Sequence, residues 1–247
     1  MIKLISLNIE TDIHHEKVVP FLKLENPDVV CLQEVFEKDL SLYEEALGMK
    51  SYFKPMSVHP SVKDKGATSH VVGIAILTKF PVTMHYHYYA GNENSIPHWV
   101  RSPDLYIAPH TANQLVLWVE MMIEGKLFRI ATTHLPVTPP FGISTEYQLD
   151  QARKMLEILA PFESLIICGD LNAPRGKETF ALFSDKYIDH VPLRFDSSID
   201  PVYHKNPVLI LMVDGLFSTP DYEVKDVELR QGLSDHKAIV AHIGKVN

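Results

Sequence analysis

Eight apolar runs of strand length recur along this chain: Ile2–Leu7, Val29–Gln33, Gly73–Leu77, Gln114–Ile123, Leu127–Thr133, Leu165–Cys168, Leu209–Phe217 and Ala238–Ile243. Several of them end at, or start from, a tight group of Asp, Asn, Glu or His. The clearest cases are ICGDLNAP (Ile167 to Pro174) and LSDHKAIV (Leu233 to Val240), with counterparts in LISLNIE (Asn8), CLQEV (Glu34) and ATTHLP (His134). Polar groups at the tips of buried strands cost desolvation energy unless they are paired or hold a metal. Such a pattern points to an interior that opens into a built site.

Between the runs lie helical stretches at roughly Ile13–Leu24, Glu37–Leu47, Thr145–Leu159 and Lys177–Ser184. In the third, Leu149, Ala152, Leu156 and Leu159 make an apolar stripe at helical spacing, with Ser144 as the expected N-cap. The Glu124-Gly125 pair predicts a hairpin between two long strands. Helix and strand alternate but a hairpin interrupts them, so an α/β chain with a mixed sheet is expected. No linker divides the motifs, which run from residue 8 to residue 236, and this predicts one domain over residues 1–247. Three stretches lack clean periodicity (Lys54–His70, His85–Asn113 and Pro192–Asn206) and are read as functional loops.

The 247 residues are 46% hydrophobic, enough for a large core, and the formal net charge is −8. That charge argues against tight nonspecific binding to nucleic acid, which depends on neutralising phosphates. The two cysteines, Cys31 and Cys168, sit inside apolar runs and read as small buried hydrophobes, so a reducing compartment is expected. Met1 leads directly into the first strand and no apolar run approaches the roughly 20 residues of a membrane span. The expectation is a cytoplasmic monomer.

The polar groups suit phosphate-ester hydrolysis, which must shield phosphorus, deprotonate water and stabilise the leaving oxygen. A magnesium ion prefers carboxylate and carbonyl oxygens; Glu34 and Asp235 are candidate ligands, and Asn8 adds an amide oxygen or orients Glu34. Asp170 is the candidate to take a proton from water, and Asn172, on the same side of an extended strand, to donate to a phosphate oxygen. His236 and His134 are candidates for proton exchange or charge stabilisation, with Asp214 fixing the tautomer of His236. No Ser or Cys nucleophile occupies a comparable motif, which favours attack by water.

SLNI, LQEV, GIAILTKFPV, THLP, GDLNAP, MVDGLF and LSDHKAI occur in the order and approximate spacing of one family. The chain resembles the endonuclease/exonuclease/phosphatase superfamily over essentially its whole length. The resemblance implies a four-layer α/β sandwich, two mixed β-sheets packed face to face with helices outside. It implies a divalent ion, Mg2+ or Mn2+, held by Asn8 and Glu34 with Asp235. It further implies that Asp170 orients or deprotonates water, Asn172 binds phosphate, Asp214 pairs with His236, and His236 and His134 contact the phosphate. Many members carry an Arg just before the hairpin strand, where this chain reads Thr111-Ala112-Asn113-Gln114. Trp99, Arg101, His110 and Asn113, in or beside an aromatic-rich loop, are therefore the candidate substrate contacts. Lys63, Lys65, Arg175 and Lys177 are candidates for a positive rim. The expected activity is a metal-dependent phosphodiesterase acting on a nucleic-acid end, a nucleotide conjugate or a phospholipid headgroup. A phosphomonoesterase on a soluble sugar or inositol phosphate, or a silent binding member, are the alternatives.

Overall fold

The computed structural model describes residues 1–100, 111–138 and 142–246. In chain order its strands are β1 (Ile2–Asn8), β2 (Val29–Phe36), β3 (Lys50–Pro60), β4 (Ser69–Thr78), β5 (Thr83–Ala90), β6 (Gln114–Ile123), β7 (Lys126–His134), β8 (Ile166–Asp170), β9 (Ile188–Asp189), β10 (Asp214–Ser218), β11 (Tyr222–Arg230) and β12 (Ala238–Lys245). The helices are α1 (His15–Glu25), α2 (Leu40–Leu47), α3 (Glu146–Leu159) and α4 (Glu178–Ser184). One sheet runs β11-β12-β1-β2-β4-β3 and the other β5-β6-β7-β8-β10-β9. Among the described strands, β1/β2 and β7/β8 pair in parallel and the other ladders are antiparallel.

Alternation decides the layers. In β1, Ile2 and Leu4 enter the core between the sheets, while Ile5 and Leu7 face α1 and α2 with Val18, Leu22 and Tyr43. In β8, Ile166 and Cys168 face the opposite sheet, whereas Leu165 and Ile167 pack with Ala152, Met155 and Phe180 of α3 and α4. Each sheet thus has one face on the shared core and one under helices, which gives the four-layer sandwich. Cys31 and Cys168 are both buried and free.

Four expectations about local structure need correction. Lys54–His70 is largely strand, because β3 and β4 form a long hairpin. β3 is an edge strand with mostly half-exposed side chains, so its pattern is blurred. β5 hides likewise in the polar, aromatic TMHYHYYA. The run Leu209–Phe217 is strand only from Asp214 onward. The α3 N-cap is Thr145, whose hydroxyl accepts from the Gln148 amide, while Ser144 Oγ accepts from the Thr179 amide of α4 at 2.8 Å. No helix among the described residues is long and apolar enough to cross a membrane.

Candidate active site

The inward-facing residues that bury Leu4, Ile130 and Ile166 between the sheets continue, at the open end of each strand, as polar ones. Leu4-x-Ser6-x-Asn8, Ile130-x-Thr132-x-His134 and Ile166-x-Cys168-x-Asp170 keep one parity, and Asp214 lies opposite Asp170 in the β8/β10 ladder. The site is the rim of the core.

Glu34 breaks the pattern. Gln33 is the inward residue of β2 and its amide reaches Thr132 Oγ1 at 2.9 Å across the sheets. The next residue is the extra one of a bulge between Leu32 and Val35, with φ +56°. A bulge re-aims its side chain, and here it brings Glu34 Oε1 within 3.0 Å of Asn8 Nδ2. The same Asn8 amide donates to Asp170 Oδ2 at 3.1 Å, while its oxygen accepts from the Glu10 backbone amide. Asn8 therefore clamps two carboxylates.

GDLN has a similar backbone logic. Gly169 sits at φ +137°, and a Cβ there would lie 2.2 Å from Thr133 O. Only glycine lets β8 approach β7 so closely at the base of the site. Asn172 adopts the left-handed region at φ +47°, which Asn tolerates better than most residues, and its amide N–H donates to Asp170 Oδ1 at 2.7 Å.

On the far side His236 Nδ1 bonds Asp214 Oδ2 at 2.7 Å, and His236 Nε2 lies 3.7 Å from Asp170 Oδ2. Burial opposes charge on this imidazole, but the Asp214 and Asp170 carboxylates outweigh it and hold its pKa well above the ordinary value. Burial likewise raises Asp214 despite the facing imidazole, so the pair keeps a shared proton. His134 Nε2 lies 3.5 Å from Asp170 Oδ2 and 3.7 Å from Glu34 Oε1. The Asn172 side-chain amide is 3.0 Å from His134 Nε2 and donates to Leu135 O at 2.9 Å. As placed, that amide orients His134, and contact with a phosphate requires it to be released.

Glu10, Ser198 and Asp200 escaped the sequence reading. Burial, then the charges of Asp235 and Glu34, raise the Glu10 carboxyl to about 7. Burial and Asp235 likewise raise Glu34. Glu10, Glu34 and Asp235 therefore feel one another's charge, and the Glu10 carboxylate bonds His14 Nε2 at 3.0 Å. Among the described residues, Asp170, Asp214 and His236 bring ligand atoms within 4.8 Å of one another, with a hydrogen bond joining His236 to Asp214. Asn172 and Glu10 both lie two residues past a strand end with left-handed backbone, so the extended-strand alternation expected to pair Asp170 with Asn172 does not hold and places neither residue. Ser198 Oγ accepts from the amides of Val213 and Asp214 at 3.0 and 3.1 Å, fixing the Asp214 backbone. The buried Asp200 carboxylate accepts from Val202 and Gly232, and its amide donates to Asp235 O at 2.8 Å. Both lie in Pro192–Asn206, whose lack of periodicity hid them.

The substrate-loop candidates divide. Arg101 and His110 lie outside the described residues. Asn113 is buried, and its amide serves Asn92 O and Ser95 O at 2.6 and 2.9 Å, so it ties the loop down. Trp99 stacks on His59 at 4.8 Å. The expected positive rim is reduced, because Arg175 pairs with Asp189 at 2.9 Å; Lys63, Lys65 and Lys177 are exposed.

No curated protein matches the chain by sequence. Solved structures share the fold. The human nocturnin catalytic domain, with a bound sulfate anion, superposes with a TM-score of 0.72 at 18% identity over 99% of this chain and 93% of that one. A mannosyl-6-phosphatase from Bacteroides thetaiotaomicron gives 0.69 at 15% over 99% and 100%. ANGEL2, a 2′,3′-cyclic phosphatase in complex with adenosine-2′,3′-vanadate, gives 0.67 at 16% over 98% and 95%. A family model described as Endonuclease/Exonuclease/phosphatase family matches residues 5–236, nearly the whole chain. The chain belongs to the endonuclease/exonuclease/phosphatase family of phosphoester hydrolases.

Proposed function

We propose that this chain is a Mg2+- or Mn2+-dependent phosphodiesterase in which an activated water attacks phosphorus. The observation that carries the reading is the Asp214–His236–Asp170 chain beside the Asn8-clamped Glu34. Glu34 and Asp235 would hold the divalent ion, with Asn8 setting the Glu34 carboxylate. When bound, the ion supplies Lewis-acid stabilisation of charge on the phosphate. Asp170, held by the Asn8 side chain and the Asn172 amide, orients water and takes its proton. His236, oriented through Nδ1 by Asp214, turns Nε2 toward the phosphate and stabilises charge there. His134 is the second phosphate contact and Asn172 its positioning partner. Asn8 and His236 come from opposite ends of the chain, which supports one catalytic domain over residues 1–247.

A phosphomonoesterase is the second reading, favoured by the shared fold with the mannosyl-6-phosphatase. Turnover of bis-p-nitrophenyl phosphate and p-nitrophenyl phosphate with Mg2+ or Mn2+ separates the two. Diester hydrolysis with the higher kcat/KM is expected; hydrolysis of the monoester alone overturns the diesterase assignment. Turnover of neither, nor of a wider phosphoester panel, removes the enzymatic role assigned to these residues.

A further inference from the structure

The β3 edge beside the site carries chemistry that the proposed mechanism leaves unused. β3 is the outer strand of its sheet, and its last residues reach the edge where the site opens. His59 lies directly opposite His70 of β4, and His70 shares the parity of Ile74 and Ile76, which face the other sheet. Residues directly opposite in a ladder project on the same face. The register therefore turns His59 inward, toward the sheet whose β7 ends in His134.

That edge is completed by the segment after β5. Val58 N donates to Pro97 O at 2.8 Å and Trp99 N donates to Val58 O at 2.9 Å, so Pro97–Trp99 docks on the free edge of β3. This docking seats the Trp99 indole on the His59 ring, with 4.8 Å between centroids and 27° between planes. Neither ring is fully buried. Among the described residues, the His59 ring nitrogens have no hydrogen-bond partner. Burial, then the neighbouring His134, push this imidazole down to about 4. At ordinary pH it is neutral, with one N–H donor and one bare nitrogen acceptor.

We propose that His59 is a specificity-determining residue of the phosphoesterase site, reading the organic part of the ester through its uncommitted ring nitrogen beside the Trp99 stacking face. A neutral imidazole gives little to a second phosphate, which is best held by cationic donors. It suits a neutral donor–acceptor edge, and an indole suits a flat ring. The substrate class is then a phosphate ester of a nucleoside. This inference rests on the phosphodiesterase reading above.

The test compares thymidine 5′-(p-nitrophenyl phosphate) with methyl p-nitrophenyl phosphate, which share a leaving group and differ in the retained ester. His59→Ala is expected to raise KM about tenfold for the nucleoside ester, the worth of one hydrogen bond, with a clearly smaller rise for the methyl ester and a smaller change in kcat. His59→Gln, a neutral donor and acceptor, should recover most of that loss, and Trp99→Ala should raise KM for the nucleoside ester as well. Equal KM shifts on both esters overturn the proposal, as does a fall in kcat at constant KM, which would mean that His59 acts through His134. Failure of the wild-type enzyme to turn over either ester overturns the diesterase reading first.

Discussion

The strand-tip cluster and the segment docked on β3 adjoin through His134 and His59, yet they are held by different means. Asn8, His134 and Asp170 end strands whose earlier inward positions fill the core, and Asp214 begins one whose next inward residue, Leu216, does so. Their placement is fixed by ladder register, since a slip of one residue would turn each to the wrong face. Trp99 depends instead on a short docking contact with an edge strand and on Asn113, which pins the loop at Asn92 and Ser95. Register-bound chemistry resists change, whereas an edge-docked segment can be exchanged without disturbing the core. The proposed chemistry and the proposed specificity thus rest on separate structural devices.

That comparison can be broken, most forcefully at the tips. Asp170→Asn should lower kcat by roughly 10²–10⁴-fold while circular dichroism and melting stay near wild type; near-wild-type turnover would contradict the role given to this carboxylate. Gly169→Ala should destabilise the protein by about 3 kcal/mol and depress kcat, because a Cβ there meets Thr133 O at 2.2 Å at a φ that L side chains rarely adopt. Chemical denaturation checks it, and a loss under about 1 kcal/mol would show that β7 and β8 can separate freely.

Smaller effects belong to the docked segment. Asn113→Ala leaves two backbone carbonyls unserved and should cost about 1–2 kcal/mol, with the kinetic loss concentrated in KM. A loss confined to kcat would tie the loop to the chemistry. The least effect comes from His59 and depends on pH. Its folded value of about 4 lies below the ordinary 6.5, so above pH 6.5 the ring is neutral folded or unfolded and contributes no pH dependence. As pH falls through 6.5 the unfolded chain takes a proton that the folded chain refuses, and stability is lost progressively down to about pH 4. Discounted for solvent contact, that loss is on the order of 1–2 kcal/mol. His59→Gln should be the less acid-sensitive protein by this margin, and a gap between the two that does not vary with pH would contradict the neutral ring.

The same division explains what was legible beforehand. Two-sided burial writes β1, β2 and β8 as plain apolar runs, and each polar tip stands out against its run. Seven of the eight strand-tip assignments, Asn8, Glu34, His134, Asp170, Asn172, Asp214 and His236, are joined by contacts of 2.7–3.7 Å. Asp235 is linked to the group through charge. Glu34 was found by its neighbours in LQEV, although the bulge that aims it leaves no periodic trace. Edge strands β3 and β5 face solvent and mix Lys, His and Tyr with apolar residues, so they passed for loops. The Asn113 amide serves the backbone carbonyls of Asn92 and Ser95, a role that in sequence looks like one that serves a ligand. His59 and Ser198 carry no local signal; register and chain crossings place them.

The central claim, that the strand tips assemble a metal-dependent phosphoester hydrolase around Glu34, is tested most directly by metal-titrated turnover of bis-p-nitrophenyl phosphate. Wild-type activity should require Mg2+ or Mn2+ and vanish under chelation, and Glu34→Gln should need at least about tenfold more metal for half-maximal rate. Equal rates with metal and with chelator, or a Glu34→Gln titration that overlays wild type, would contradict it.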